Sequence, residues 1–185
     1  MINLKKLTPI SLATSSLLLA QSNENYINMS HSWLTHSENG TVSDFNPKGL
    51  KGRIGKNLTT FKGIELAVEG TAMLGVNHDK KSSVASSTVG TFTNASMALD
   101  KLYNVNLRAK KEVPQDLSLE AYLGASRGKM IPIALNNTPS HGYQNSISYG
   151  AGISYDLLPT ISVNLEYMQY FDNLSAVEFG VGFRF

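Results

Sequence analysis

The chain has 185 residues, 42% of them hydrophobic, only 16% charged, with 15 glycines and no cysteine. The length suits one domain, and the absence of cysteine excludes disulfide and thiolate chemistry. A formal net charge of +2, with no dense basic run, argues against a nucleic-acid partner.

The first stretch, MINLKKLTPISLATSSLLLAQSN, places Lys5 and Lys6 before a mostly apolar run, Leu7–Leu19, closed by the small residue Ala20. That is the pattern of a secretory signal peptide over residues 1–20. Pro9 and several Ser and Thr residues interrupt the run, and it is shorter than the roughly 20 residues of a helical membrane span. Its removal takes away two lysines and no acid, leaving 14 basic and 14 acidic side chains and no net charge on residues 21–185.

From there on the 3.6-residue helical period is nearly absent. Instead, eight alternating stretches of about ten residues follow one another, each with one apolar and one polar or small face. The first, Tyr26–Thr35, puts Ile27, Met29 and Trp33 on one side. The second, Gly49–Asn57, sets Leu50 and Ile54 against Lys51 and Arg53, and the third, Gly63–Gly75, sets Ile64, Leu66 and Val68 against Glu65, Ala67 and Glu69. The fourth, Ser96–Lys111, alternates Tyr103, Val105 and Leu107 with Asn104, Asn106, Arg108 and Lys110. The fifth, Leu117–Ser126, alternates Leu119, Ala121 and Leu123 with Glu120 and Tyr122. The sixth, Ser146–Leu157, and seventh, Ile161–Tyr170, repeat the scheme, Glu166 falling on the polar side of the seventh. The eighth, AVEFGVGFRF, alternates Val177, Phe179, Val181, Phe183 and Phe185 with Glu178, Gly180, Gly182 and Arg184.

Connections alternate as well. Residues 58–62, 112–116 and 158–160 are short, whereas 36–48, 76–95 and 127–145 are long and rich in Ser, Thr, Asn and Gly and predict surface loops. VPQDLSLEAY and LPTISVNLEY resemble one another, a weak trace of a reused hairpin.

Alternation alone suits either a soluble sandwich or a membrane barrel. The charges decide: Arg53, Glu65, Glu69, Arg108, Glu120, Glu166, Glu178 and Arg184 share the parity of Ser, Gly and Asn, many of them at mid-strand, a polar-inward, apolar-outward pattern. Tyr26, Tyr149, Tyr155, Tyr167, Phe179, Phe183 and Phe185 sit near strand ends, where an aromatic girdle meets the interface. The predicted fold is all-β, an eight-stranded antiparallel up-and-down transmembrane β-barrel over residues 21–185, closed because lipid satisfies no open edge.

Residues 24–185 resemble the small eight-stranded outer-membrane barrels, such as the OmpA transmembrane domain, OmpX and the opacity-type porin-like proteins. FGVGFRF is the most specific element of the resemblance. It is similar to the terminal-aromatic signal of such barrels, which implies that Phe179, Val181, Phe183 and Phe185 address the chain to the outer-membrane assembly machinery. The resemblance further implies the outer membrane of a Gram-negative bacterium, reached through the periplasm, and contact with outer-membrane lipid and lipopolysaccharide. With no residue after Phe185, a peptidoglycan-binding module is not expected.

Eight strands enclose an interior just wide enough for side chains. Strand pairing predicts a lumen charge network in which Arg53 meets Glu65 and Glu69, Arg108 and Lys110 meet Glu120, and Glu166 opposes Glu178 with Arg184 or Arg53 as the bridging cation. A filled barrel of this kind predicts a monomer with a structural or surface-interaction role, its loops open to a surface ligand or host factor. A narrow small-solute pore is the alternative. A lipid A-modifying enzyme is a third: His36-Ser37 and Ser140-His141 are adjacent pairs, but neighbours in a strand point apart and no His-x-Ser is present. The spacing of His31, His36, His78 and His141 matches no zinc pattern, so no catalytic residue, metal or cofactor is expected. His78-Asp79-Lys80-Lys81 is a charge run open to lipopolysaccharide phosphates, or simply solvated.

Overall fold

The computed structural model describes residues 25–37, 44–86, 90–133 and 142–185. The proposed signal peptide, the Ser140-His141 pair and the tips of the three long connections lie outside them.

The described chain is almost all strand: β1 (Asn25–His36), β2 (Lys48–Phe61), β3 (Ile64–Gly75), β4 (His78–Ser86), β5 (Gly90–Val113), β6 (Leu117–Ile133), β7 (Gln144–Leu158), β8 (Ile161–Phe171) and β9 (Leu174–Arg184). Every pairing is antiparallel. β3 pairs with β5, and β1 with β9 from Tyr26↔Arg184 to His36↔Leu174, so eight strands close into a barrel. Asn25 and Phe185 exchange two backbone hydrogen bonds at the seam, of 3.1 and 2.9 Å.

β4 is no ninth stave. It continues β3 upward along the same partner: β3–β5 pairing runs to Leu74↔Lys101, and β4–β5 pairing resumes at His78↔Ala98. The segment 76–95, expected as an open loop, is therefore two hairpin arms, and β6 likewise runs on to Ile133 inside the expected loop 127–145. Serine and threonine tolerate an extended backbone as readily as a turn, so composition alone misread these arms. Gly75 sits where the arm leaves the barrel. A Cβ there would fall inside the Leu99 carbonyl, so the bend needs a residue without one. At the opposite end the turns are tight, and Lys62 (φ 49°) and Gly63 (φ 75°) join β2 to β3 with both central residues in the left-handed region, as a type I′ hairpin requires.

The burial pattern is inverted relative to a soluble protein. Asn28, Ser30, Arg53, Glu69, Asn106, Glu120 and Glu166 are buried, while Ile54, Val105, Leu107, Leu123 and Ile147 are about 60–70% exposed. Among the described residues 29 large hydrophobic side chains are exposed. Leaving each in water forfeits up to about 1.5–3 kcal/mol. Even at half exposure the sum exceeds the roughly 5–15 kcal/mol of net stability a domain has. The solvent of this outer face is lipid.

Candidate functional site

The inward-facing side chains form two layers. Toward the short turns the layer is charged. Lys51 and Arg53 enter from β2, Glu65 and Glu69 from β3, Arg108 and Lys110 from β5, Glu120 from β6, Glu166 from β8 and Glu178 from β9, because each has the parity that its strand turns inward.

Lys51 reaches both Glu166, at 3.1 Å, and Glu178, which are direct cross-strand partners. Arg53 is paired with Glu166 and lies 3.5 Å from Glu69. Arg108 contacts Glu65 at 2.5 Å and both Glu69 and Glu120 at 3.7 Å. Three tyrosines complete the set. Tyr26 donates to Glu69 at 2.5 Å, Tyr170 donates to Glu178 at 2.7 Å, and Tyr122 donates to Glu120. The Arg108 guanidinium lies 4.3 Å from the centre of the Tyr26 ring, and that of Arg53 lies 5.0 Å from Tyr122. A cation over an aromatic face gains from the ring quadrupole, more so when desolvated. At the barrel mouth Arg184 pairs with Asp156, and Lys110 lies 4.0 Å from the same carboxylate.

Of the residues singled out in the sequence, Arg53 thus meets Glu69 and Glu166, while Glu65 turns to Arg108. Glu178 is held by Lys51, and Arg184 stays at the mouth. Lys51, Tyr122 and Tyr170 were not among the predicted network residues, although Lys51 shares the parity of Arg53. Tyr26 is a correction. It does not join an aromatic girdle but is buried in the lumen, where an added Cβ at Gly55 would fall inside its ring. Its parity with Asn28 and Ser30 carried that information. Phe179 and Phe183 project outward from β9 with Val181 between them, and Phe185 is exposed beyond the strand end.

The second layer, toward the long hairpins, is apolar. Leu34, Phe45, Met73, Met97, Leu102, Met168 and Leu174 are among its buried members. Phe45 folds over β1, exchanging two 2.8 Å backbone hydrogen bonds with His36. Methionine suits such a site, since its unbranched chain fills irregular gaps. Below this seal, the cavity lined by Tyr26, Arg53, Arg108, Glu120 and Glu166 has a volume of about 30 Å³, room for no more than a few waters.

The histidines are scattered. His36 is buried at the top of β1, whereas the neighbouring Ser37 hydroxyl donates to Asp44 at 2.7 Å, so the adjacent pair diverges. His31 packs edge-on to Trp33, ring centres 4.6 Å apart, on the outer wall.

The family model of the outer membrane protein beta-barrel domain matches residues 8–185. The chain belongs to that family, and its place is the outer membrane of a Gram-negative bacterium. Among solved structures it is similar to Ail, the attachment invasion locus protein of Yersinia pestis, with 20% identity, 88% of this chain and 98% of that chain covered, and a TM-score of 0.56. A second structure of that protein, in complex with the heparin analogue sucrose octasulfate, has a TM-score of 0.54 at 20% identity, with 88% of this chain and 98% of that chain covered. Neisserial surface protein A is similar at 16% identity and a TM-score of 0.52, over 89% of this chain and 100% of that chain. These likenesses concern the fold. No curated protein matches the chain in sequence.

Proposed function

We propose that the protein is a non-enzymatic surface scaffold: a sealed barrel that fixes extracellular hairpins for contact with a surface ligand or host factor. The observation that carries this reading is the filled lumen. An ion-paired layer and an apolar layer lie in series, and a solute would have to break buried charge pairs and then cross a dry methionine and leucine plug. The projecting sheet β4–β5–β6 supports the second half of the reading. Paired strands hold their tips more rigidly than a free loop does, and rigid display favours recognition.

The divergence of His36 and Ser37 supports a non-enzymatic role, since a nucleophile and its base must lie within hydrogen-bond reach. We read residues 1–20 as the export leader, and Phe179, Val181, Phe183 and Phe185 as the signal to the assembly machinery, the barrel then standing as a monomer.

Three experiments test the role. Liposomes carrying the refolded protein should not swell in small sugars, and rapid swelling would favour the small-solute pore. Replacing residues 78–98 by a two-residue turn should leave a folded barrel that has lost surface binding, with sulfated polysaccharide as the first probe because a heparin analogue is the ligand named for the Yersinia protein. Lipid A from a deletion strain should be unchanged by mass spectrometry, and altered acylation would point instead to an enzyme.

A further inference from the structure

The hairpin-side rim is uneven. β4, β5 and β6 rise above the barrel, whereas β8 passes into β9 through a two-residue turn, Asp172 and Asn173. β7 stands between the two heights. It pairs with β6 from Gly128↔Gln144 onward but meets β8 only from Tyr149↔Gln169. Residues 144–148 therefore have a strand on one side and, among the described residues, none on the other. The step leaves a cavity of about 400 Å³, lined by Gln144, Asn145, Ser146, Phe171, Asp172 and Asn173. That lies within the roughly 300–1,000 Å³ of small-molecule sites.

The floor is fixed from below. The Phe171 ring is buried, and a Cβ at Gly128 would come within 3.0 Å of it. The Gln169 amide donates to the Phe171 carbonyl at 2.5 Å, and the Ser37 N–H to the Asn173 carbonyl at 3.0 Å. The turn thus holds its shape through backbone carbonyls. Asp and Asn are common in turns because they tolerate a left-handed backbone or bond their own main chain. Neither reason applies here: neither residue has a positive φ, and neither side chain bonds a described group. The side chains of Gln144 and Asn145 are equally without a described partner, and the Ser146 hydroxyl falls back on the neighbouring Ile147 carbonyl at 3.1 Å.

A carboxylate only accepts hydrogen bonds, while an amide or a hydroxyl both donates and accepts. The bare edge of β7 adds unpaired N–H and C=O groups. This mixed set suits a ligand of closely spaced hydroxyls, each able to donate and accept. Charge narrows the choice. Asp172 is the single charged residue of the lining, and Arg127, opposite Asn145 on β6, lies against the Tyr143 ring at 4.8 Å. An anion would meet repulsion with no cation in the lining, and a metal ion would meet one carboxylate in a space far too large for it. Height fixes the side of approach. Tyr167 faces outward at the girdle, and five residues at about 3.4 Å each, tilted about 45°, put Asp172 about 12 Å beyond it, outside the apolar band.

We propose that this notch binds a neutral hexose unit presented from outside the cell, its hydroxyls shared among Asp172, Asn173, Asn145 and the bare edge of β7. The site goes beyond the surface-ligand reading and uses none of residues 78–98, so either can fail without the other.

Saturation-transfer NMR of the full protein in a sugar-free detergent tests it. Lactose, mannobiose and cellobiose are the neutral probes. Sulfated lactose, a hexapeptide of alternating threonine and valine, and the dephosphorylated core oligosaccharide of lipopolysaccharide are the contrasts. At least one neutral disaccharide should show saturable transfer, at least fivefold stronger than sulfated lactose. Asp172→Ala and Asn145→Ala should each weaken it at least fivefold while keeping the faster unboiled gel mobility of a folded barrel. Replacing residues 78–98 by a two-residue turn should leave it unchanged. Transfer to none of the neutral probes would overturn the proposal, as would transfer only to the peptide or the core oligosaccharide, equal transfer to sulfated lactose, or unchanged binding in both variants.

Discussion

Replacing Lys51 by methionine removes, among the described residues, the only cation that touches Glu178 and one of two that hold Glu166. The two carboxylates are direct cross-strand partners on β8 and β9, which puts their Cβ atoms about 5 Å apart. At an effective dielectric near 20, two unit charges about 5 Å apart repel by about 3 kcal/mol. Arg53 remains for Glu166, but among the described residues Glu178 keeps only the hydroxyls of Ser32 and Tyr170. Removing one partner of a buried ion pair costs about 3–5 kcal/mol, and that is the loss expected here. The assay is urea unfolding of the protein folded into lipid vesicles, followed by the fluorescence of its single tryptophan, Trp33, on the outer wall. The double variant Lys51→Met/Glu178→Gln should recover at least half the loss, because it removes one of the two repelling charges. A Lys51→Met protein within about 1 kcal/mol of the wild type would refute the buried network as drawn.

Tyr26→Phe separates the lumen from a girdle. It deletes a hydrogen bond to the buried Glu69, so a cost of about 1.5–3 kcal/mol is expected in the same unfolding assay, whereas an interfacial tyrosine would show almost none. Gly75→Val forces the Leu99 backbone aside and should cost about 1–3 kcal/mol, read as a lower unfolding midpoint; an unchanged midpoint would contradict the bend at the arm base. Deleting Phe185 should lower the amount of protein at the cell surface while the purified chain still refolds in detergent. Normal surface levels would rule out its role as an assembly signal.

The architecture was legible because a two-residue period with charges on the small-residue face has one stable solution in lipid. Arg53, Glu69, Glu166 and Glu178 each fall on the face that their parity assigns. What parity does not give is which partner a long side chain chooses. Arg53 and Arg108 span several strands, so the exchange of Glu65 between them depends on barrel curvature that no linear pattern encodes. Lys51 has the same inward parity, and its ammonium suits two carboxylates converging on one point, a role that parity does not distinguish from that of an arginine. The apolar seal was hidden because Met73 and Met168 lie on the face that the nearby charges marked as polar. The hairpin arms were hidden because serine-rich strands outside the membrane need no apolar face.

Single-channel recording in planar bilayers, on protein extracted from membranes, tests the sealed barrel most directly. The account predicts a flat trace at all voltages, since the charged layer and the methionine–leucine layer both block the same path. A large, stable, reproducible open level would contradict it.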